Sequence, residues 1–452
     1  MKPLFMSLGF AALGLLLIAA APEEKSKGGA GQGGQVEPAV VPPYLFNVWL
    51  CRPGGESVTV SVLAWDEMEA FIEYGEGLKT SAVKLKAGVP QNIVLGGLKP
   101  ETSYNYRLSY RRTGGEAVQD VMRSFHTPRK AGQSFSFVMQ ADSHLDNNTD
   151  VRVYQQTLAN MLADKPDFMI DLGDTTMVDK FGKFFRRSES QYKAQRYYMG
   201  RIAHSVPIFM VLGNHDGERG SDPEMSEWSL GMRHTYFPNP TDGNDKHSYF
   251  AFEWGNALFI GLDPFWATTQ RGASGWDMTL GDAQYRWLTK TLTSSKAAMR
   301  FVFIHHLVGG LGRDVRGGAK PAAYMEWGGK NADGSEGFQE HRTGWEMPLH
   351  PLFVKHGVNI VFHGHDHLFV KEELDGIIYQ EVPQPGHPSG GTRSAEEYGY
   401  GGVILGSAGH VRVTVNENQA KVDYVRSIVP GVTRSNLEND AVEHGYMIRP
   451  KG

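Results

Sequence analysis

The chain has 452 residues, 40% hydrophobic and 21% charged, with a formal net charge of −5. These values exclude a disordered or fibrous chain and give no basic surface for a dedicated nucleic-acid partner. The single cysteine, Cys51, excludes an intramolecular disulfide framework, and the length suits two or three domains.

The first 21 residues read as a secretory signal. Lys2 precedes the apolar run Leu4 to Ile18, and Ala19-Ala20-Ala21 offers a small-residue cleavage site before Pro22. The run is shorter than the ~20 residues a membrane helix needs. No cysteine follows it, so lipid attachment is not expected, and no later segment is apolar enough to span a membrane. The expectation is a secreted or periplasmic protein; the alternative is an uncleaved N-terminal anchor. Residues 22–37 are mainly Glu, Lys, Gly and Gln, a composition that cannot bury a core and reads as a flexible linker.

Residues 38–128 read as a small all-β domain. Tyr44 to Cys51 is strand-like, with Cys51 a buried small hydrophobe rather than a reactive thiol. Val58, Val60 and Val62 alternate with small polar residues. Tyr104, Tyr106, Leu108 and Tyr110 follow at period two, a stripe expected to face a sandwich core. The stretch Leu98-Lys99-Pro100-Glu101-Thr102-Ser103-Tyr104-Asn105-Tyr106 resembles fibronectin type III modules.

From residue 133 strands alternate with helices, an α/β pattern. Strands are expected at Phe135–Gln140, Phe168–Leu172, Pro207–Leu212, Phe301–Ile304 and Asn359–Phe362, and helices at Asp150–Ala163, Ser188–Ala203 and Leu280–Leu292. From Gly401 to Val425 the period returns to two, through Val403, Val411, Val413, Val422 and Tyr424. Two packed sheets flanked by helices follow over residues 133–428, with 429–452 left as a C-terminal tail.

The chemistry lies at the ends of these strands. Asp142-Ser143-His144, Gly173-Asp174, Gly213-Asn214-His215-Asp216, His305-His306 and Gly364-His365-Asp366-His367 each follow an apolar run, and the carboxyl ends of α/β strands are where such folds carry sites. Asp142, His144, Asp174, Asn214, His305, His365 and His367 offer imidazole, carboxylate and amide donors with no thiolate. That set suits Zn, Fe, Mn, Co or Ni rather than Ca, without choosing among them. Seven donors exceed one tetrahedral ion. They suit two transition-metal ions bridged by a carboxylate, an arrangement that holds a hydroxide and clamps an in-line phosphoryl displacement. His305 stands directly after its strand and is preferred to His306 as the ligand. His215, with Asp216 behind it, can protonate the leaving oxygen; the plainer reading of Asp216 is a cap on the turn.

The ordered set resembles the calcineurin-like metallophosphoesterase superfamily, whose pattern is Asp-x-His, Gly-Asp, Gly-Asn-His-Asp/Glu, His and Gly-His-x-His. The resemblance implies a four-layer αββα metallophosphoesterase sandwich behind the β domain. It implies that Asp142, His144 and His367 bind one ion, Asp174 bridges, and Asn214, His305 and His365 bind the second. His215 is then a catalytic residue and not a ligand. The implied activity is hydrolysis of phosphate esters, monoester or diester, by a hydroxide held between the ions. A β module also precedes the catalytic domain in purple acid phosphatases. Their iron-binding tyrosine lies three residues after the bridging aspartate, where this chain has Met177, and they lack the histidine found here as His144. No purple charge-transfer band is therefore expected. The alternative is a binding or adhesion protein with a silent phosphoesterase-like domain.

Two long connections are candidates for substrate choice. Thr175 to Tyr198 carries Lys180, Lys183, Arg186, Arg187 and Arg196. Leu307 to Trp345 holds ten glycines, and Arg313, Arg316 and Arg342 there are candidate phosphate ligands. A solvated surface loop is the alternative for both.

Overall fold

The computed structural model describes residues 38–218, 222–240, 247–268, 275–307, 316–392, 394–399 and 401–451. The expected signal (1–21) and linker (22–37), and Arg313, lie outside the described residues. No helix among the described residues is long and apolar enough to cross a membrane.

The N-terminal region is a β-sandwich. Strands Phe46–Cys51, Ser57–Ala64 and Gln91–Gly96 form one antiparallel sheet. Met68–Tyr74 and Ser103–Arg112 lead the second. Val60, Val62 and Leu95 from the first sheet meet Ile72, Tyr106, Leu108 and Phe125 from the second in a common core. The tyrosine stripe faces this core as its period required. Cys51 is buried, its thiol pushed up to about 12 by burial, which keeps it out of thiolate chemistry.

The rest of the chain stacks two sheets face to face. The first runs Ile208–Met210, Phe168–Asp171, Phe135–Gln140, Gly409–Val415, Ala420–Arg426 and Val442–Ile448. The second runs Phe250–Trp254, Ala257–Gly261, Met299–Phe303, Ile360–His363, Ile377–Glu381, Phe369–Leu374 and Val403–Leu405. The period of two sorts side chains between layers. Phe137, Phe168, Phe301, Phe303 and Phe362 point between the sheets, where Phe137 stacks on Phe168 with ring centroids 5.2 Å apart. Val138 and Met169 point outward onto helices Val151–Ala163 and Glu189–Ala203. Val302, Ile304 and Val361 point outward onto helices Gly281–Ser294 and Leu349–Lys355. The result is the expected αββα order. Both faces of each central strand are buried, which is why these segments read as nearly continuous apolar runs.

Strands Phe250–Trp254, Ala257–Gly261, Phe369–Leu374 and Ile377–Glu381 and helix Leu349–Lys355 add to the expected elements, and two further ones depart from expectation. Val442–Ile448 lies in the supposed tail but adds the edge strand beside Ala420–Arg426. Helix Pro223–Tyr236 was not foreseen, although Asp222 caps it by accepting from the Glu224 and Met225 amides and Pro223 opens it.

Candidate metal centre

Parallel strands in both sheets end at one edge of the sandwich. Phe135–Gln140, Phe168–Asp171 and Ile208–Met210 run parallel in the first sheet, and Met299–Phe303 and Ile360–His363 in the second. The loops leaving these ends carry the motif residues. Gly173 and Gly213 let two of the loops touch. A Cβ on Gly173 would lie 2.4 Å from the Gly213 amide nitrogen, and one on Gly213 would lie 2.0 Å from that of Asp174. Asp142, Asp174, His365 and His367 have φ of 57°, 50°, 82° and 65°. Such backbone costs roughly 1–3 kcal/mol per residue and persists where the surroundings over-determine it, as at functional sites.

The side chains form overlapping groups. Asp142, His144 and His367 bring donor atoms within 4.8 Å of one another, as do Asp142, Asp174 and His305, and also His305, His306 and His365. His305 Nδ1 donates to the Leu172 carbonyl at 2.8 Å, which fixes the ring and turns Nε2 toward the site. That nitrogen faces Asn214 Oδ1 at 3.1 Å and Asp174 Oδ2 at 3.3 Å. His144 Nδ1 lies 3.3 Å from Asp146 Oδ1, and its Nε2 lies 3.4 Å from His367 Nε2. His367 Nε2 is in turn 3.4 Å from Asp142 Oδ1, a buried oxygen with no hydrogen bond. Imidazole nitrogens and carboxylate and amide oxygens therefore converge on one place. Protons on the imidazoles can balance the carboxylates, and cations can take their place, so this nitrogen and oxygen donor set fits a metal centre.

The carboxylates are prepared for that role. Burial pushes the Asp174 carboxyl up, but His305 and His215 outweigh it and hold it well below the ordinary range. Asp142 is likewise lowered, with His367 and His305 overcoming burial. Of the histidine pair, His306 places Nε2 3.3 Å from Met278 Sδ, although its ring is near His365. His305 faces Asp174 and Asn214, and both histidines share a donor group with His365.

The group behind His215 is not the expected one. His215 Nδ1 lies 3.0 Å from both oxygens of Asp179, and its Nε2 is 3.8 Å from Asp174 Oδ2. Burial lowers the His215 pKa, but Asp174 and Asp179 raise it more, so the net shift is upward. Asp216 instead accepts from the amides of Gly213, Asp174 and Thr176 and from Thr176 Oγ1, at 2.8–3.1 Å. It cross-links the two ligand loops, and burial and the Asp174 charge raise its pKa to about 7. Asp216 thus takes the turn-capping position, and Asp179 rather than Asp216 lies against His215 Nδ1. Asp179 was missed because a carboxylate five residues beyond Asp174, in a loop, carries no sequence signal.

The arginines divide. Arg316 Nη1 donates to the His365 carbonyl at 3.1 Å and to Asp366 Oδ1 at 2.5 Å. Asp366 also accepts from the Gly317 amide and from Tyr398 Oη. Arg316 thus stands under the ligand loop and borders a cavity of about 360 Å³ lined also by His367, His387 and Asn148. Arg342, by contrast, is held by Glu326 at 2.6 Å and by the Trp276 carbonyl, between the rings of Trp276 and Trp345. Contrary to the expected phosphate role, the Arg342 guanidinium is already engaged by Glu326 and Trp276. Much of the glycine-rich insertion is likewise packed structure, with Trp327, Phe338 and Trp345 buried against the second sheet. Arg342→Ala should strand the fully buried Glu326 charge and destabilise the fold by roughly 3–5 kcal/mol without changing KM. Urea denaturation together with steady-state kinetics checks this; an unchanged unfolding midpoint would contradict it.

The fold and the centre together define a phosphoesterase class. The family model for calcineurin-like phosphoesterases matches residues 135–369, more than half of the chain, and the chain belongs to that family. It is similar to purple acid phosphatase 23 of Arabidopsis thaliana, 20% identical over 321 residues, covering 67% of this chain and 61% of the relative. Purple acid phosphatase 15 of the same plant is 21% identical, over 67% of this chain and 54% of the relative. The chain therefore spans little more than half to three fifths of these curated relatives. Among solved structures, the purple acid phosphatase PPD1 from yellow lupin aligns with a TM-score of 0.61 at 16% identity, over 89% of this chain and 74% of the other. PhoD aligns with a TM-score of 0.64 at 14% identity, over 89% and 90%. These likenesses support the fold, including the β region placed before the phosphoesterase sheets.

Proposed function

We propose that the chain is an exported phosphoesterase that hydrolyses phosphate esters with two transition-metal cations. Asp142, His144 and His367 would hold one, Asn214, His305 and His365 the other, and Asp174 would serve both. The observation that carries this reading is the convergence of Nε2 of His305 on Asn214 Oδ1 and Asp174 Oδ2, in a cluster that also brings Asp142, His144 and His367 together. When bound, the cations supply water of lowered pKa and neutralise phosphate charge. The protein supplies the rest. His215, its Nδ1 fixed by Asp179, presents Nε2 beside Asp174 and can deliver a proton to the leaving oxygen. Arg316, tied to Asp366 and the His365 carbonyl, borders the cavity next to His367 and holds the loop that carries His365 and His367. Each position of the family's ligand pattern is filled, which argues against a silent domain that serves only adhesion.

The names of the similar plant proteins favour phosphomonoesters, while the two-cation site suits diesters equally. Rates on a panel of phosphomonoesters and diesters with Mn, Zn or Fe distinguish the two. Loss of all turnover on stripping the metals is the expected result; a metal-loaded protein inert across the panel would overturn the reading. Export rests on Lys2, the apolar run and the alanine site. The exported protein should begin near Pro22 on N-terminal sequencing, and a Met1 start would contradict cleavage.

A further inference from the structure

Helix Glu189–Ala203 does two things with consecutive residues. Gln195 is fully buried, and its Nε2 donates to the Ser143 carbonyl at 2.8 Å and the Thr175 carbonyl at 2.7 Å. Ser143 lies between Asp142 and His144, and Thr175 follows Asp174. One amide therefore ties together the loops that carry three of the assigned ligands. Its Oε1 accepts from Tyr154 Oη at 3.0 Å, so both ends of the amide are used. A turn earlier, Gln191 Oε1 accepts from the Met177 amide at 2.7 Å, holding the Asp174 loop at a second point.

The next residue joins the helix to the N-terminal sandwich. Arg196 is also fully buried and donates to Asn47 Oδ1 at 2.8 Å, Ser61 Oγ at 3.0 Å and the Ser61 carbonyl at 2.9 Å. It also donates to the Tyr236 carbonyl and lies over the Trp49 ring. Asn47 presses against the helix at Gly200, where a Cβ would lie 1.7 Å from Asn47 Nδ2. Tyr106 Oη from the second sandwich sheet donates to the carbonyl of His204, which caps the same helix. The sandwich thus grips this helix at residues 196, 200 and 204.

We infer that the N-terminal β-sandwich is a working part of the metal centre, with Arg196 and Gln195 as positioning residues that transmit its hold to the loops bearing Asp142, His144 and Asp174. This rests on the reading of those residues as metal ligands. The physical reason is tolerance. Ligand atoms must stand within a few tenths of an ångström of their places, and loops alone do not hold them there. Replacing partners that orient metal ligands typically costs 10–100-fold in metal affinity.

The test is Mn2+ affinity of the full-length, chelator-stripped protein, measured by equilibrium dialysis without any assay of activity. Gln195→Met and Arg196→Met should each raise the Kd by about 10–100-fold. Arg342→Ala, which destabilises the fold elsewhere, should leave it within about twofold. Asn47→Ala, a milder change confined to the sandwich, should raise it about fivefold and serves if Arg196→Met does not fold. A folded Arg196→Met or Asn47→Ala protein with wild-type Kd would overturn the inference, since the sandwich would then be a passive neighbour. An equal weakening by Arg342→Ala would also overturn it, because general destabilisation would explain the effect. A wild-type chain that takes up no Mn2+ would instead overturn the underlying reading of the ligands.

Discussion

Asp174→Ala should abolish hydrolysis and release both cations, with turnover falling on the order of 10³-fold or more. Asp174 shares a donor group with Asp142 and His305, one proposed ligand of each cation. Its Oδ2 is 3.3 Å from His305 Nε2, its Oδ1 accepts from the His215 amide at 2.7 Å, and its own amide is held by Asp216. Asp174→Asn separates charge from shape. It retains an oxygen for the His215 amide but removes the negative charge, so it should fold like wild type and still bind metal poorly. Metal analysis after dialysis checks both variants, and wild-type metal content in Asp174→Asn would remove Asp174 from the bridging position.

His215→Ala should lower kcat by roughly 10²–10⁴-fold while both cations stay bound. His215 donor atoms face Asp179 and Asp174, and the proposed ligands do not include it. Asp179→Asn should give a smaller loss, about 10–100-fold, and move the pH profile. The sign follows from the charges. Asp179 and Asp174 raise the His215 pKa against the lowering effect of burial, so the protonated form survives to higher pH. Activity that needs that proton is present below the folded-state pKa and is lost as pH rises through it. Removing the Asp179 charge lowers that pKa, so the basic limb of kcat should shift to lower pH. An unshifted basic limb would place the proton donor elsewhere, and metal loss in His215→Ala would make His215 a ligand.

The phosphoesterase fold, and the place where its strand ends gather Asp and His side chains, were legible for a simple reason. Central strands buried on both faces leave apolar runs, and each run here stops at a Gly, Asp or His that the loop geometry demands. Phe135–Gln140 was read with its observed limits, and Asp142, Asp174 and His305 meet where the strand ends predicted. What supports those residues was not legible. Asp179 behind His215, Gln195 under Ser143 and Thr175, and Asp366 with Tyr398 act through contacts between distant segments, and no spacing or period marks them. Arg342 misled for the complementary reason. An arginine in a glycine-rich insertion has the composition of an anion site, while its burial against Glu326 and Trp276 is a tertiary fact. Val442–Ile448 alternates only weakly and pairs as an exposed edge strand, so the sequence shows little there.

The most direct measurement titrates the chelator-stripped protein with Mn2+ while following hydrolysis of a chromogenic phosphate ester. Activity should be absent at the start, rise with added ion and reach its plateau at two equivalents per chain. Hydrolysis that persists in the stripped protein, or that saturates at one equivalent, would contradict a two-cation phosphoesterase.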